Sequence, residues 1–308
     1  FTFDYNLPND TMYCETCAAV GMIFFANRML KNRLRGEYAD VMERILYNSA
    51  ISGMALDGKH FFYVNPLEVQ PEASKKDPGK PHVLPVRPSW LGCACWPPNL
   101  ARLIASLDDY IYTQNGYTIA VNLYIGSEAS FDLDDWKKLS IKMETDYPSE
   151  GKVRLTVSGE GQLAIRIPMF VTDYKLTRNE KPVTEGADDG YVYLDGYFSG
   201  DEIILEFELE PILWKAHPYV RSDAGKVALS RGPFIYCLES VDNGEHLECL
   251  SVGSEAAFRY EEEDGELGKI GVIYAEGLRQ QVNENRPLYQ KAVGIETAEV
   301  MEPQELRF

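Results

Sequence analysis

Asn115-Gly116-Tyr117-Thr118-Ile119-Ala120-Val121-Asn122-Leu123-Tyr124-Ile125 is where the chain changes period. From Ile119 to Ile125 large apolar side chains stand at every second position, the spacing of a strand that turns one face to a core. The same period returns in Leu139-Ile141-Met143, Val153-Leu155-Val157, Leu163-Ile165-Ile167, Tyr191-Tyr193 and Ile203-Leu205-Phe207. Short strands at intervals of about 10 to 15 residues predict a β-sandwich. A second β-rich stretch opens near Pro211 and includes Lys226-Val227-Ala228-Leu229 and Phe234-Ile235-Tyr236-Cys237, while the acidic run from Glu261 to Glu266 reads as a loop.

Upstream of Gly116 the period is helical. Pro8-Asn9-Asp10 is a start signal, and the nearly unbroken apolar run from Ala18 through Leu30 predicts a helix buried on every side. A second helix follows Gly36, with Tyr38, Val41, Met42, Ile45 and Leu46 on one stripe, and ends near Gly53. Asp57-Gly58 predicts a hairpin joining Met54-Ala55-Leu56 to Phe61-Phe62-Tyr63-Val64. Residues 70–88 form a Pro-, Lys- and Gly-rich surface loop, and loops of that length in compact domains are usually functional. A third helix opens at Pro97-Pro98, carries Leu100, Leu103, Ile104, Leu107 and Ile111, and ends by Asn115-Gly116.

Helices first and sheets afterwards predict a multi-domain, α-then-β protein. The expected domains are 1–113, 114–212 and 213–308, the last incomplete at its C-terminus. Three helices do not close an α-domain. Further helices are therefore expected from a missing N-terminal half or a second copy, because open helix faces expose apolar surface.

Forty-eight acidic against 30 basic side chains give a net charge of −18, which repels nucleic acid and anionic membranes. No apolar stretch has the length of a membrane span. Six cysteines occur in 308 residues, four of them in a C-x-x-C and a C-x-C cluster, which favours metal or nucleophile chemistry over a disulfide framework. The expected compartment is reducing, hence cytoplasmic.

Reactive side chains concentrate in Tyr13-Cys14-Glu15-Thr16-Cys17 and in Trp90-Leu91-Gly92-Cys93-Ala94-Cys95-Trp96-Pro97-Pro98-Asn99. Both flank helix starts, where the dipole and free amides favour a thiolate at Cys95. If the segments meet, thiolates and the Glu15 carboxylate suit tetrahedral zinc. Glu15 and Cys17, two apart, point away from each other on a helix, so their pairing requires non-helical backbone at Glu15. Inert buried thiols and a redox pair are the competing readings. His60, His82, His217 and His246 show no ligand spacing and are expected in surface or structural roles.

The two segments resemble the signature of glycoside hydrolase family 127. The likeness extends to Leu7-Pro8-Asn9-Asp10-Thr11-Met12-Tyr13, Tyr63-Val64-Asn65-Pro66-Leu67-Glu68, Asn99-Leu100-Ala101-Arg102, Val220-Arg221-Ser222-Asp223-Ala224-Gly225 and Arg231-Gly232-Pro233. It implies the C-terminal portion of an (α/α)6 barrel followed by two β-sandwich domains. It implies a retaining glycosidase that releases β-L-arabinofuranose or a related plant cell-wall sugar, with a carbohydrate as its partner. Matched by position, Cys95 is the nucleophile, Glu15, Cys17 and Cys95 are zinc ligands, and Glu43 and Tyr63 contact sugar. Trp96 stands where the family has a further ligand cysteine, which leaves Cys14 and Cys93 as substitutes. The family's general acid/base Glu falls upstream of Phe1, so this stretch alone is expected to be inactive. A non-catalytic carbohydrate-binding or structural β-sandwich fragment is the alternative.

Overall fold

The computed structural model describes residues 2–133, 136–266, 268–282, 285, 287–289 and 300–308. The part of the third expected domain at 290–299 lies outside the described residues. The chain forms two compact units, residues 1–210 with 215–227 and 231–234, and residues 211–214 with 228–230 and 235–308. Among the described residues no helix is long and apolar enough to cross a membrane.

In the first unit, helix α1 spans Thr16–Asn32 and α2 spans Gly36–Ile45, continued by a π-turn at Leu46–Ala50 and a 3-10 turn at Ile51–Gly53. The stretch 36–53 is thus helical throughout, as its periodicity predicts. Helix α1 is not buried on every side. Ala19, Val20, Ile23, Ala26 and Leu30 face the core at helical spacing, whereas Met22 and Phe25 are exposed. Its sequence carries more apolar side chains than one face can hold.

Asp57-Gly58 makes the expected turn, with Met54 bridged to Phe61, and the 70–88 segment contains one helical turn, α3 (Ala73–Lys76). The third helix is shorter than its sequence suggests. It runs as α4 over Trp96–Ala105, kinks into α5 at Asp108–Ile111, and gives way to strand β1 at Tyr112–Asn115. β1 hairpins onto β2 (Thr118–Val121) through Gly116 at φ +61°. An added methyl there would touch nothing within 4 Å, so Gly116→Ala pays only for the left-handed backbone. It should cost about 1 kcal/mol, read as a fall of a few degrees in Tm.

The main sheet continues with β3 (Ser127–Asp132), β4 (Lys138–Thr145), β5 (Lys152–Arg166), β6 (Tyr174–Arg178), β7 (Lys181–Pro182) and β8 (Tyr191–Phe207). The four separate strands expected in β5 and β8 are two long ones. Their first and second halves pair with different neighbours: β4 takes the start of β5, and β2 runs parallel to its end. The bend comes at a bulge after Val157 and at Gly159, whose φ is +113° and whose missing side chain leaves room for the Lys138 carbonyl. Glycine there bends a strand instead of ending it.

Alternation then assigns the faces. Ile119, Val121, Leu163 and Ile165 enter the sheet's own core with Leu139, Ile141, Leu155 and Leu205, whereas Ala120 and Ala164 pack with Val20, Ile23, Leu30, Met42 and Leu103 of the helices. Small side chains on that second face let the helices approach the sheet. One consequence is a buried ion cluster. Arg166 of β5, fully buried, donates to Asp40 at 2.7 Å and to Glu43 at 2.5 Å, both on α2.

β9 (Pro211–Trp214), β10 (Ala228–Arg231) and β11 (Phe234–Tyr236), which belong to the second unit except for Arg231 and Phe234, form a three-stranded sheet in the order β11-β10-β9. A four-stranded sheet contains β12 (Leu250–Val252), β13 (Phe258–Gly265), β14 (Gly268–Gln280) and β15 (Met301–Arg307). The acidic run 261–266, expected as a loop, lies largely in β13. Pairing with β14 and contacts from Glu263 to Tyr274 and Arg307 compensate its charge.

Candidate active site

Two helix N-termini converge. At the first, Glu15 caps α1 with extended backbone, φ −68° and ψ 133°, and bridges Val64. That backbone is what a Glu15 and Cys17 pairing requires. Thr16 locks the junction: its amide donates to the Tyr63 carbonyl at 3.1 Å, and its buried hydroxyl accepts from Asn65 at 2.9 Å. Tyr63 is thereby held beside the start of α1. At the second terminus Cys95 caps α4, and Asn99, one turn on, donates its amide to the Cys17 sulfur at 3.1 Å.

The sulfurs of Cys17 and Cys95 lie 3.1 Å apart, too far for a disulfide, and both thiols are free. Cys95 Sγ is 3.5 Å from Glu15 Oε1 and 3.9 Å from the Tyr63 hydroxyl. One donor atom each from Glu15, Cys17 and Cys95 falls within 4.8 Å of the others, so the three can hold a metal ion. Two sulfurs and a carboxylate oxygen are a donor set that zinc accepts.

The helix dipole does not make Cys95 acidic unaided. Its hydrogen bond with Cys17, burial and the Cys93 thiol push it up to about 12. Cys93 goes the other way, lowered by hydrogen bonds from the Cys95 backbone, the Cys95 thiol and Tyr63. The Tyr63 phenol is raised by its hydrogen bond to Tyr13, by burial, and by Cys95 and Glu15. Burial raises Cys14. A cation bound among the donors reverses this order, because it favours the thiolate that the neighbours disfavour.

Glu43 does not join this group. It is 2% exposed and committed to Arg166, and burial raises its carboxyl in spite of that partner. Trp96, next to Cys95, turns into the helical core, 3% exposed and stacked on Phe61 at 5.0 Å and 12°. No histidine belongs to the metal-capable group among the described residues. His60 pairs with Asp57 at 2.6 Å and His246 with Glu248 at 2.9 Å, while His217 stacks on Tyr5.

Asn99 and Arg166 carry no role in the sequence reading. Asn99 follows the Pro97-Pro98 helix start, and an amide one turn into α4 can reach back to a neighbouring sulfur only if α1 lies there. Arg166 had a legible signal, a lone cation between Ile165 and Ile167 in a strand with apolar neighbours. A charge in such a place needs a partner.

Known proteins match this chain along its whole length. Residues 1–109 match the family model described as beta-L-arabinofuranosidase, GH127 catalytic domain. Residues 118–209 match the GH127 middle domain, and residues 211–293 the glycoside hydrolase family 127 C-terminal domain. A non-reducing end beta-L-arabinofuranosidase of Bifidobacterium longum subsp. longum is 41% identical over 94% of this chain and 45% of its own length. The crystal structure of a GH127 beta-L-arabinofuranosidase from Geobacillus stearothermophilus T6 aligns with a TM-score of 0.92 and 45% identity, over all of this chain and 48% of that one. A further solved GH127 beta-arabinofuranosidase aligns at 0.84 and 30%, again over 48% of its length. The chain spans about half the length of these relatives.

Proposed function

Since the chain belongs to glycoside hydrolase family 127, we propose that it is part of a retaining glycosidase that releases β-L-arabinofuranose or a related sugar through the thiol of Cys95. The observation that carries this reading is the meeting of Cys95 with Glu15, Cys17 and Tyr63, from two helix starts and a bridged strand, within hydrogen-bonding reach of one thiol. The α-region 1–113 is then the end of an (α/α)6 barrel, and 114–212 and 213–308 are two β-sandwiches. The limits of the three matched models support that division.

In the first step the Cys95 thiolate attacks the anomeric carbon as the bond to the leaving oxygen breaks, and that oxygen takes up a proton from a general acid of the intact protein. A thioglycosyl group on Cys95 results. Water then gives its proton to that same group and displaces the sulfur as thiolate from the opposite face, and two inversions restore the original configuration. Asn99 donates to the Cys17 sulfur and holds it beside Cys95. The Tyr63 hydroxyl donates to Cys95 when it is thiolate.

Zinc fits the donors present. Glu15, Cys17 and Cys95 would hold it, and when bound it supplies the positive charge that keeps Cys95 ionised near neutral pH. Trp96 offers no donor from its place in the core. Cys93 and Cys14 are the remaining thiols on the two segments, though neither belongs to the group whose donor atoms lie within 4.8 Å of one another. A water in the fourth position also satisfies zinc.

The test is the configuration of the first sugar released by the intact protein from a β-L-arabinofuranosyl disaccharide, followed by NMR before mutarotation. Initial appearance of the β-anomer is expected. Initial α-anomer would rule out double displacement, and no release would rule out the activity.

A further inference from the structure

Tyr13 and His82 stand together in a way that the chemistry at Cys95 does not use. Their rings lie 5.3 Å apart at 58°, and Tyr13 also meets the Tyr63 ring edge-on at 6.1 Å. Tyr13 is 58% exposed although aromatic contacts hold it on two sides. An exposed but immobilised aromatic face is a surface prepared for another flat apolar face.

His82 owes its place to two anchors on either side of it. Lys80, whose side chain is only 17% exposed, is bonded to the Asp10 carboxylate. Val83 is 1% exposed, and its amide donates to the Lys80 carbonyl at 3.1 Å. Asp10 lies on the same segment as Tyr13, so the Lys80 bond ties the loop bearing His82 to the segment bearing Tyr13. The pair is a built feature of two chain segments and not a chance approach of two mobile side chains.

Its place relative to the thiol decides what it can touch. The Tyr63 hydroxyl reaches Cys95 at 3.9 Å, and the Tyr13 ring packs edge-on against the Tyr63 ring, 6.1 Å between ring centres. A sugar bonded to Cys95 would lie against Tyr63. Tyr13 and His82 adjoin Tyr63, so a residue joined to that sugar on this side would meet their faces.

Resting on the glycosidase reading above, we propose that Tyr13 and His82 form a subsite for the sugar next to the one that Cys95 attacks. The Tyr13 ring covers the C–H face of that sugar, and the His82 imidazole hydrogen-bonds one of its hydroxyls. The site thereby selects a glycan end over a simple glycoside. The ligand class is a furanose or pyranose residue joined to the terminal arabinofuranose.

The experiment is titration calorimetry on the intact protein with L-arabinose and with a sulfur-linked arabinofuranosyl disaccharide that resists cleavage. Unmodified protein should bind the disaccharide at least about tenfold more tightly than the single sugar. Tyr13→Ala and His82→Ala should each remove most of that difference, about tenfold in disaccharide affinity, and leave L-arabinose within about twofold. Tyr13→Phe keeps the ring and should behave as the unmodified protein. Thermal melts of the variants show whether each is folded.

Equal weakening of both sugars by Tyr13→Ala, or a Tyr13→Phe as weak as Tyr13→Ala, would overturn the subsite, because Tyr13 would then act through the Tyr63 hydroxyl. Unchanged disaccharide affinity in both alanine variants would overturn it as well. Failure of the unmodified protein to bind either sugar would overturn the glycosidase reading instead.

Discussion

Cys95→Ala should reduce zinc from about one ion per chain to nearly none and lower glycoside turnover by at least about 10³-fold. The two losses have separate causes. The metal goes because Glu15 and Cys17 alone are two donors where tetrahedral zinc needs three protein ligands for an open site. Turnover goes because no other group near the anomeric carbon is placed to form the covalent bond. Cys249→Ala separates this from a general effect of thiol loss, since Cys249 belongs to the second unit and not to the metal-capable group. Zinc by atomic absorption on chelator-free preparations reads the first effect. Retention of about one zinc in Cys95→Ala would remove Cys95 from the ligand set. Retention of activity would remove it as nucleophile.

The second large effect is on stability. Arg166→Met should destabilise the first unit by about 3 to 5 kcal/mol, a fall of about 10 °C in Tm near neutral pH, because it strands Asp40 and Glu43 in the interior without a counter-charge. The loss should shrink as the pH is lowered. Glu43 already sits above the ordinary 4.5 of a glutamate, chiefly through burial, with Arg166 pulling it back. A carboxyl raised in the folded state binds its proton more tightly there than in the unfolded chain. The stability tied to that proton is therefore present at low pH and is lost as pH rises through the raised folded value. Without Arg166 the value rises further, so the variant should recover most of its deficit when Glu43 is protonated at mildly acid pH. Melts at pH 5 and pH 7.5 check this. An equal deficit at both would mean that lost packing, not stranded charge, is the cause.

That cluster also bears on Glu43. The family resemblance implies a sugar contact, and the structure places the carboxylate against a fully buried guanidinium. Helical spacing marks Glu43 as lying one turn from Asp40, but spacing within one helix says nothing of a cation in a strand 123 residues away. Tyr63 differs. Its neighbourhood is set by the Glu15 bridge and the Thr16 bonds, and it does reach Cys95.

Period alone decided much about this protein: helices before Gly116, strands after it, the inward faces of Ile119, Val121, Leu163 and Ile165, and the pairing of reactive residues with two helix starts. Those features are local, and side-chain order along a few turns or a few pleats is enough to specify them. Where strands end was not local, because Gly159 reads as a breaker and serves as a bend once β4 and β2 share one edge of β5. Nor was charge a guide in β13, where acids that look like a loop are neutralised across strands. The convergence of Glu15, Cys17 and Cys95 depended on packing α1 beside α4, and so did the turn of Trp96 away from the thiols and onto Phe61. Contacts between residues about 80 positions apart follow from which faces are buried together, and only the folded chain brings those faces into one core.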